Sequence, residues 1–248
     1  MQRDESDRGE RGSLFPATRW SAVVGARSPD AMERSRSVAR LVEAYWKPAY
    51  RYLRVRWRAD DQEAQDLVQG FLAQALEKDL FARYDPDRAA FRTWLRLVID
   101  GHVGNERKAA RRVKRGGSVT HVPLDFTGAD EELRGVEPEV PDDVDAYFER
   151  EWIRHLFELA VGDLRQQSAG KPAAFAAFQR YDLAPDAVTR PSYADIAAEL
   201  AVPVTTVTNW LHQMRRAFRS AVLARLRELC VDEVEFRREA RAILGEAP

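Results

Sequence analysis

Apolar residues recur along this chain at helical spacing. Val38, Leu41, Val42, Tyr45, Ala49 and Leu53 follow one another at three- and four-residue steps, which lines one face of an α-helix, and Pro48 within that run predicts a kink because it removes a backbone donor. Ala64, Leu67, Val68, Phe71, Leu72, Ala75 and Leu76 form a second, cleaner stripe. After the loop "LFARYDPDRAA" a third helix is predicted to begin near Ala90 and to bury some of Phe91, Trp94, Leu95, Val98 and His102. A short helix at "TRWSAVV", capped by Thr18, precedes all three. Farther on, "AYFEREWIRHLFELAVGDLR" and "PAAFAAFQRYDL" read as amphipathic helices, and a charged helical extension runs from Val222 to Leu244. No alternating strand pattern competes, so the expected fold is all-α.

Charge then divides the chain. "ERKAARRVKR" is strongly basic, whereas Asp125, Asp130, Glu131, Glu132, Glu137, Glu139, Asp142, Asp143 and Asp145 face Arg134 alone in a stretch punctuated by Gly128, Gly135, Pro138 and Pro141. Such a stretch is expected to be a flexible acidic linker between two small helical domains. The expected organisation is a disordered tail at 1–13, a first domain at 14–115, the linker at 116–145, a second domain at 146–227 and a helical extension at 228–248.

Composition mostly excludes. A net charge of −1 argues against indiscriminate nucleic-acid coating, and the chain has no apolar run of the roughly 20 residues that span a bilayer. The charged opening "MQRDESDRGERGS" lacks the apolar core of a secretory signal, so a cytoplasmic protein is expected. One cysteine, Cys230, and four scattered histidines show no metal-binding or catalytic spacing, so neither a metal nor a cofactor nor an enzymatic activity is expected. Asp60, Asp61, Glu63 and Asp66 have no histidine, cysteine or glycine-rich loop beside them to complete an active site.

The most specific stretch is "SYADIAAELAVPVTTVTNWLHQMRRAFR". Ser192 and Asp195 form an approximate capping box, Ile196 and Leu200 face inward, Pro203 cannot continue the first helix, and the pattern restarts at Thr205 or Thr206. Two helices across so tight a break make a helix-turn-helix. At 100° per residue, Val207, Leu211, Met214 and Phe218 share an arc opposite Thr205, Asn209, His212, Arg216 and Arg219. That outer face is rich in hydrogen-bond donors: Thr and Asn suit base edges, while Arg215, Arg216 and Arg219 suit phosphates. The alternative is the solvated face of a bundle helix. Ala201 stands where the turn usually has glycine, and a left-handed backbone there would be strained.

Two further surfaces attract attention. Arg92, Arg96, Arg107, Lys108, Arg111 and Arg112 accompany Phe91 and Trp94, a mixture of cations and rings that suits unpaired DNA, although aromatics at this spacing also serve as core. On the second stripe's opposite side, Asp66, Gln69, Gly70 and Ala73 would let a partner helix approach and be hydrogen-bonded.

Taken together, "EAQDLVQGFLAQALEKD", "FRTWLRLVIDGHVGNERKAARRVKRGG" and the helix-turn-helix resemble bacterial RNA polymerase sigma factors of the sigma-70 family, extracytoplasmic-function (ECF) type, over about Thr18 to Arg227. The resemblance implies two helical domains, region 2 and region 4, that bind core RNA polymerase and promoter DNA. It implies that Asp66, Gln69, Gly70 and Ala73 dock on the β′ clamp helices, with the β flap as a second polymerase contact. Residues 82–89 would capture an extruded −10 base, with Arg92, Trp94, Arg96, Asn105, Arg107, Lys108, Arg111 and Arg112 serving −10 binding and melting. Thr205, Thr208, Asn209, His212, Arg215 and Arg216 match the −35 reading helix. An anti-sigma protein or a kinase would be a regulator in keeping with the resemblance. Where many relatives carry "ARN" this chain has Ile99, Asp100 and Gly101, which sets a negative charge where a phosphate contact is expected. The acidic linker would thread toward the RNA path. Two alternatives from other classes are a free-standing helix-turn-helix regulator and a helical adaptor that binds only proteins.

Overall fold

The computed structural model describes residues 21–112, 123–126 and 141–245 apart from 187, with side chains of 110–112 excepted. Among these residues the secondary structure is helical throughout. The helices are α1 (Ala22–Gly25), α2 (Ala31–Arg56), α3 (Asp61–Glu77), α4 (Phe91–Arg112), α5 (Val144–Gln167), α6 (Pro172–Tyr181), α7 (Tyr193–Glu199), α8 (Val204–Leu229) and α9 (Glu233–Leu244), with a 3-10 turn at Leu80–Arg83. None of them is long and apolar enough to cross a membrane.

Short polar side chains set the helix starts by bonding free backbone N–H groups of the first turn. Ser21, Asp30, Asp60, Asp143, Ser192 and Asp232 each accept such a bond. One sequence expectation is corrected by these caps: α5 starts at Val144, so Asp145 belongs to a helix and not to the linker. The helix α1 starts at Ala22 under Ser21, and Thr18, the cap expected from the sequence, lies outside the described residues. Pro48 is buried within α2, which continues past it to Arg56.

The apolar cores do not divide at the linker. The larger one joins α1 to α4 with the first half of α5, the second half of α8 and α9: Tyr45, Phe91 and Leu95 share it with Phe148, Trp152, Leu226 and Phe236. Tyr45 stacks on Trp152 at 6.2 Å and Tyr52 meets Phe148 edge-on at 5.5 Å. A smaller core gathers Leu164, Phe178, Ile196, Val207, Leu211 and Met214, joining α6 and α7 to the near halves of the two long helices. The long helices α5 and α8 therefore act as struts that carry the small cluster on the large one. Of the linker's interior, Pro123 to Phe126 is described, and Phe126 packs on Trp46 and Tyr50 at 5.1 and 5.6 Å; residues 127–140 lie outside the described residues.

The extension expected as one helix from Val222 to Leu244 is two pieces. Val222 lies inside α8, and Cys230 to Asp232 breaks the chain before α9.

Candidate nucleic-acid interface

The helix-turn-helix is built as its residues require. Ser192 Oγ accepts from the Asp195 N–H at 3.2 Å, and the Asp195 carboxylate accepts from the Ser192 N–H at 2.9 Å. Bonds from Ser192 hold the Asp195 carboxyl below its ordinary pKa. Ala201 sits in the left-handed region at φ 52°, where an L side chain is strained, and the Val202 N–H closes the turn on the Ala197 carbonyl at 3.0 Å. The second helix starts at Val204, one or two residues earlier than the periodicity predicts, because Pro203 takes the cap position and leaves no free N–H there.

On α8, Val207, Leu211 and Met214 are buried, while Thr205, Thr208, Asn209, His212, Arg215 and Arg216 are exposed. Thr208 Oγ1 donates back to the Val204 carbonyl at 3.1 Å. Arg215 is partly occupied: its Nε donates to Asp182 at 3.0 Å, its Nη2 reaches Tyr193 Oη at 3.3 Å, and its guanidinium lies 5.5 Å from the Tyr181 ring. The bond to Asp182, more than any other cause, holds its pKa above the ordinary value. Thr205, Asn209, His212 and Arg216 form a donor-bearing face with no hydrogen bond or ion pair among the described residues.

Along α4 the expected −10 residues part company. Arg92 donates to Glu239 at 2.7 Å and to Glu149 at 2.8 Å, and its guanidinium sits 5.1 Å from the Trp152 ring. Burial opposes its charge, and the two carboxylates more than offset that, so its pKa is raised. Arg96 is 8% exposed and donates to Asp145 and to Asp100. Trp94 is half-buried between Tyr84 and Phe91, each at 5.4 Å, and Phe91 itself is core. Arg107 donates to Glu63 at 3.0 Å and to the Trp57 carbonyl at 2.9 Å. Asn105 and Lys108 are exposed with no partner among the described residues. Arg111 and Arg112 lie in α4, with side chains outside the described set.

Asp100 proves to be an internal acceptor. Its carboxylate takes Tyr52 Oη at 3.0 Å, Trp57 Nε1 at 2.7 Å and Arg96 Nη1 at 2.8 Å. The negative charge of Asp100 is thus paired with Arg96 inside the fold. Nothing in the spacing of residues points to Tyr52 or Trp57 as its partners. Nor does it show how Tyr84 pins residues 82–89: that ring is 2% exposed and its hydroxyl donates to the Ala89 carbonyl at 2.8 Å.

On α3, Asp66 is exposed and accepts from Gln62 at 2.9 Å, while Gln69, Gly70 and Ala73 are half-buried. A Cβ at Gly70 would lie 3.6 Å from His102 Nε2, an ordinary contact, so His102 does not require the missing side chain. His102 is buried, its Nε2 has no partner among the described residues, and burial lowers its pKa.

Compared with protein-family models and with curated proteins, the sequence finds no match.

Proposed function

We propose that the chain is a promoter-specificity subunit of the sigma type, which binds core RNA polymerase and directs it to promoter DNA without catalysing a reaction itself. The observation that carries this reading is the capped helix-turn-helix whose second helix presents Thr205, Asn209, His212 and Arg216 outward, unpartnered among the described residues. A helix with that face fits the major groove, its donors at base edges and its cations on phosphates. Asp66 and Gln69 on α3 supply the polymerase-docking surface, and Asn105, Lys108 and the basic end of α4 supply contacts to the opening duplex. The test is run-off transcription with purified core polymerase and genomic fragments. Asn209→Ala or Arg216→Ala should reduce promoter use with core binding unchanged, and Asp66→Ala with Gln69→Ala should reduce core binding. Equal polymerase binding by the double variant would remove α3 as the docking surface.

One observation favours a second reading, a free-standing helix-turn-helix regulator. The cations at the start of α4 are paired within the chain, whereas Thr205, Asn209, His212 and Arg216 of α8 have no partner among the described residues. Specific binding of duplex DNA in the absence of polymerase, with no stimulation of transcription in its presence, would select that reading.

A further inference from the structure

Arg92 and Arg96 are offered to a DNA strand by the sequence and taken by carboxylates in the fold. Their partners come mainly from beyond the linker: Asp145 and Glu149 from the first two turns of α5, and Glu239 from α9. Glu239 is 4% exposed, and its carboxylate is held between Arg92 at 2.7 Å and Arg238 of its own helix at 3.1 Å. Two carboxylates around a guanidinium present the same anionic oxygens that a phosphodiester would. The cover is local. Farther along α4, Arg107 pairs with Glu63 of the neighbouring α3, and Asn105 and Lys108 stay open. The element that supplies Glu239 follows α8 after the break at Cys230 to Asp232, seats Phe236 and Ala240 in the large core, and meets α8 through Arg227, which pairs with Glu233 at 3.5 Å and lies 4.2 Å from the Phe236 ring.

We infer that α9 and the start of α5 act as an internal competitor for single-stranded DNA, closing the Arg92 and Arg96 surface until this seam opens. The inference rests on the reading of these two arginines as strand contacts. Opening exchanges carboxylates for phosphates at the same guanidinium groups, so α9 sets a threshold that a strand, or the polymerase that delivers it, must overcome.

The experiment uses the full chain with spin labels at Leu97→Cys and Val234→Cys, both exposed, while the native Cys230 is 4% exposed and shielded from labelling. Binding of a short fluorescent single-stranded oligonucleotide is followed by anisotropy, and the label separation by pulsed electron resonance. Glu149→Gln with Glu239→Gln should bind the strand about tenfold tighter, as when a competent fraction rises from a tenth to nearly all. In the chain with native charges, adding strand should lengthen the label separation. The inference is overturned if the doubly substituted chain keeps its helical circular dichroism yet binds no tighter. It is also overturned if the native-charge chain takes the strand at unchanged separation. If the substituted chain opens by its labels but neither protein binds strand, the assignment of the arginines fails, and the inference with it. If wild-type and substituted chains instead initiate run-off transcription equally, the sigma reading stands and the competitor alone is lost.

Discussion

The large and small clusters treat the same residue type in opposite ways. At the seam between α4, α5 and α9, arginines lie within reach of carboxylates from distant parts of the chain and are neutralised. On the outer side of α8, Arg216 lies on an exposed face without an ion pair among the described residues, so its charge remains available. What separates them is packing: α5 and α9 bury apolar residues on the first cluster and carry their acids in with them, whereas α6 and α7 pack on the inner arc of α8 and reach outward only as far as Arg215. A cationic helix face is therefore open to a partner only where the tertiary fold leaves it uncovered.

The seam should be the more fragile of the two under truncation. Trp152 is 2% exposed, stacks on Tyr45 and lies under Arg92, and Trp152→Ala should cost about 3–5 kcal/mol in urea unfolding. The equivalent truncation on the outer side of α8, His212→Ala, should stay within about 0.5 kcal/mol. Next in size is the buried pair of Arg51 and Glu151, 3.0 Å apart with side chains 6% and 8% exposed. Arg51→Leu should cost about 3 kcal/mol because it leaves the buried Glu151 carboxylate to the more distant Arg154 at 3.8 Å, and adding Glu151→Leu should restore much of that loss. If the single and double variants unfold at the same urea midpoint, Arg51 and Glu151 are not coupled.

Smaller effects sharpen the contrast. Ala201→Gly relieves the left-handed strain of the turn and should stabilise the small cluster by about 1 kcal/mol in thermal unfolding. Glu158 sits on the α5 strut; burial would raise its pKa, but His155, Lys47 and Arg51 more than offset this and bring it down to about 2 from 4.5. A carboxyl depressed in the folded state adds stability that is complete above its unfolded pKa and is lost as pH falls through the folded one. The acid limb of stability between these two values should therefore flatten in Glu158→Gln, read as urea midpoints across that range.

What could be read from the sequence was local. The capping box joins residues three apart, the strain at Ala201 follows from the tightness of one turn, and the apolar arcs of α3 and α8 repeat every helical turn. The occupied surface at Arg92 could not be read in the same way. Its bond to Glu239 spans 147 positions, and Asp100 meets Tyr52 and Trp57 across 48 and 43. Periodicity identifies which face of a helix is apolar; it does not say which distant helix will bring a carboxylate to the polar one. For the same reason Phe91 and Trp94, equally suited by spacing to stacking on a base or to filling a core, are distinguished only by the packing of Tyr84 and α5 around them.

The smallest expected effect on stability is the most informative about function. Asn209 and Arg216 make no hydrogen bond or ion pair among the described residues, so Asn209→Ala and Arg216→Ala should each leave the unfolding midpoint unchanged within about 0.5 kcal/mol. Their effects on duplex DNA should nevertheless differ in kind. Arg216 placed on a phosphate binds every sequence alike, so Arg216→Ala should weaken all duplexes equally and reduce the slope of log affinity against log salt by about 0.9. Asn209 placed at a base edge reads one base pair, so Asn209→Ala should leave that slope alone and relax discrimination there by about 1–3 kcal/mol. Identical slopes and identical discrimination in both variants would mean that the open face of α8 is only a solvated surface, and the contrast between the two clusters would then say nothing about DNA.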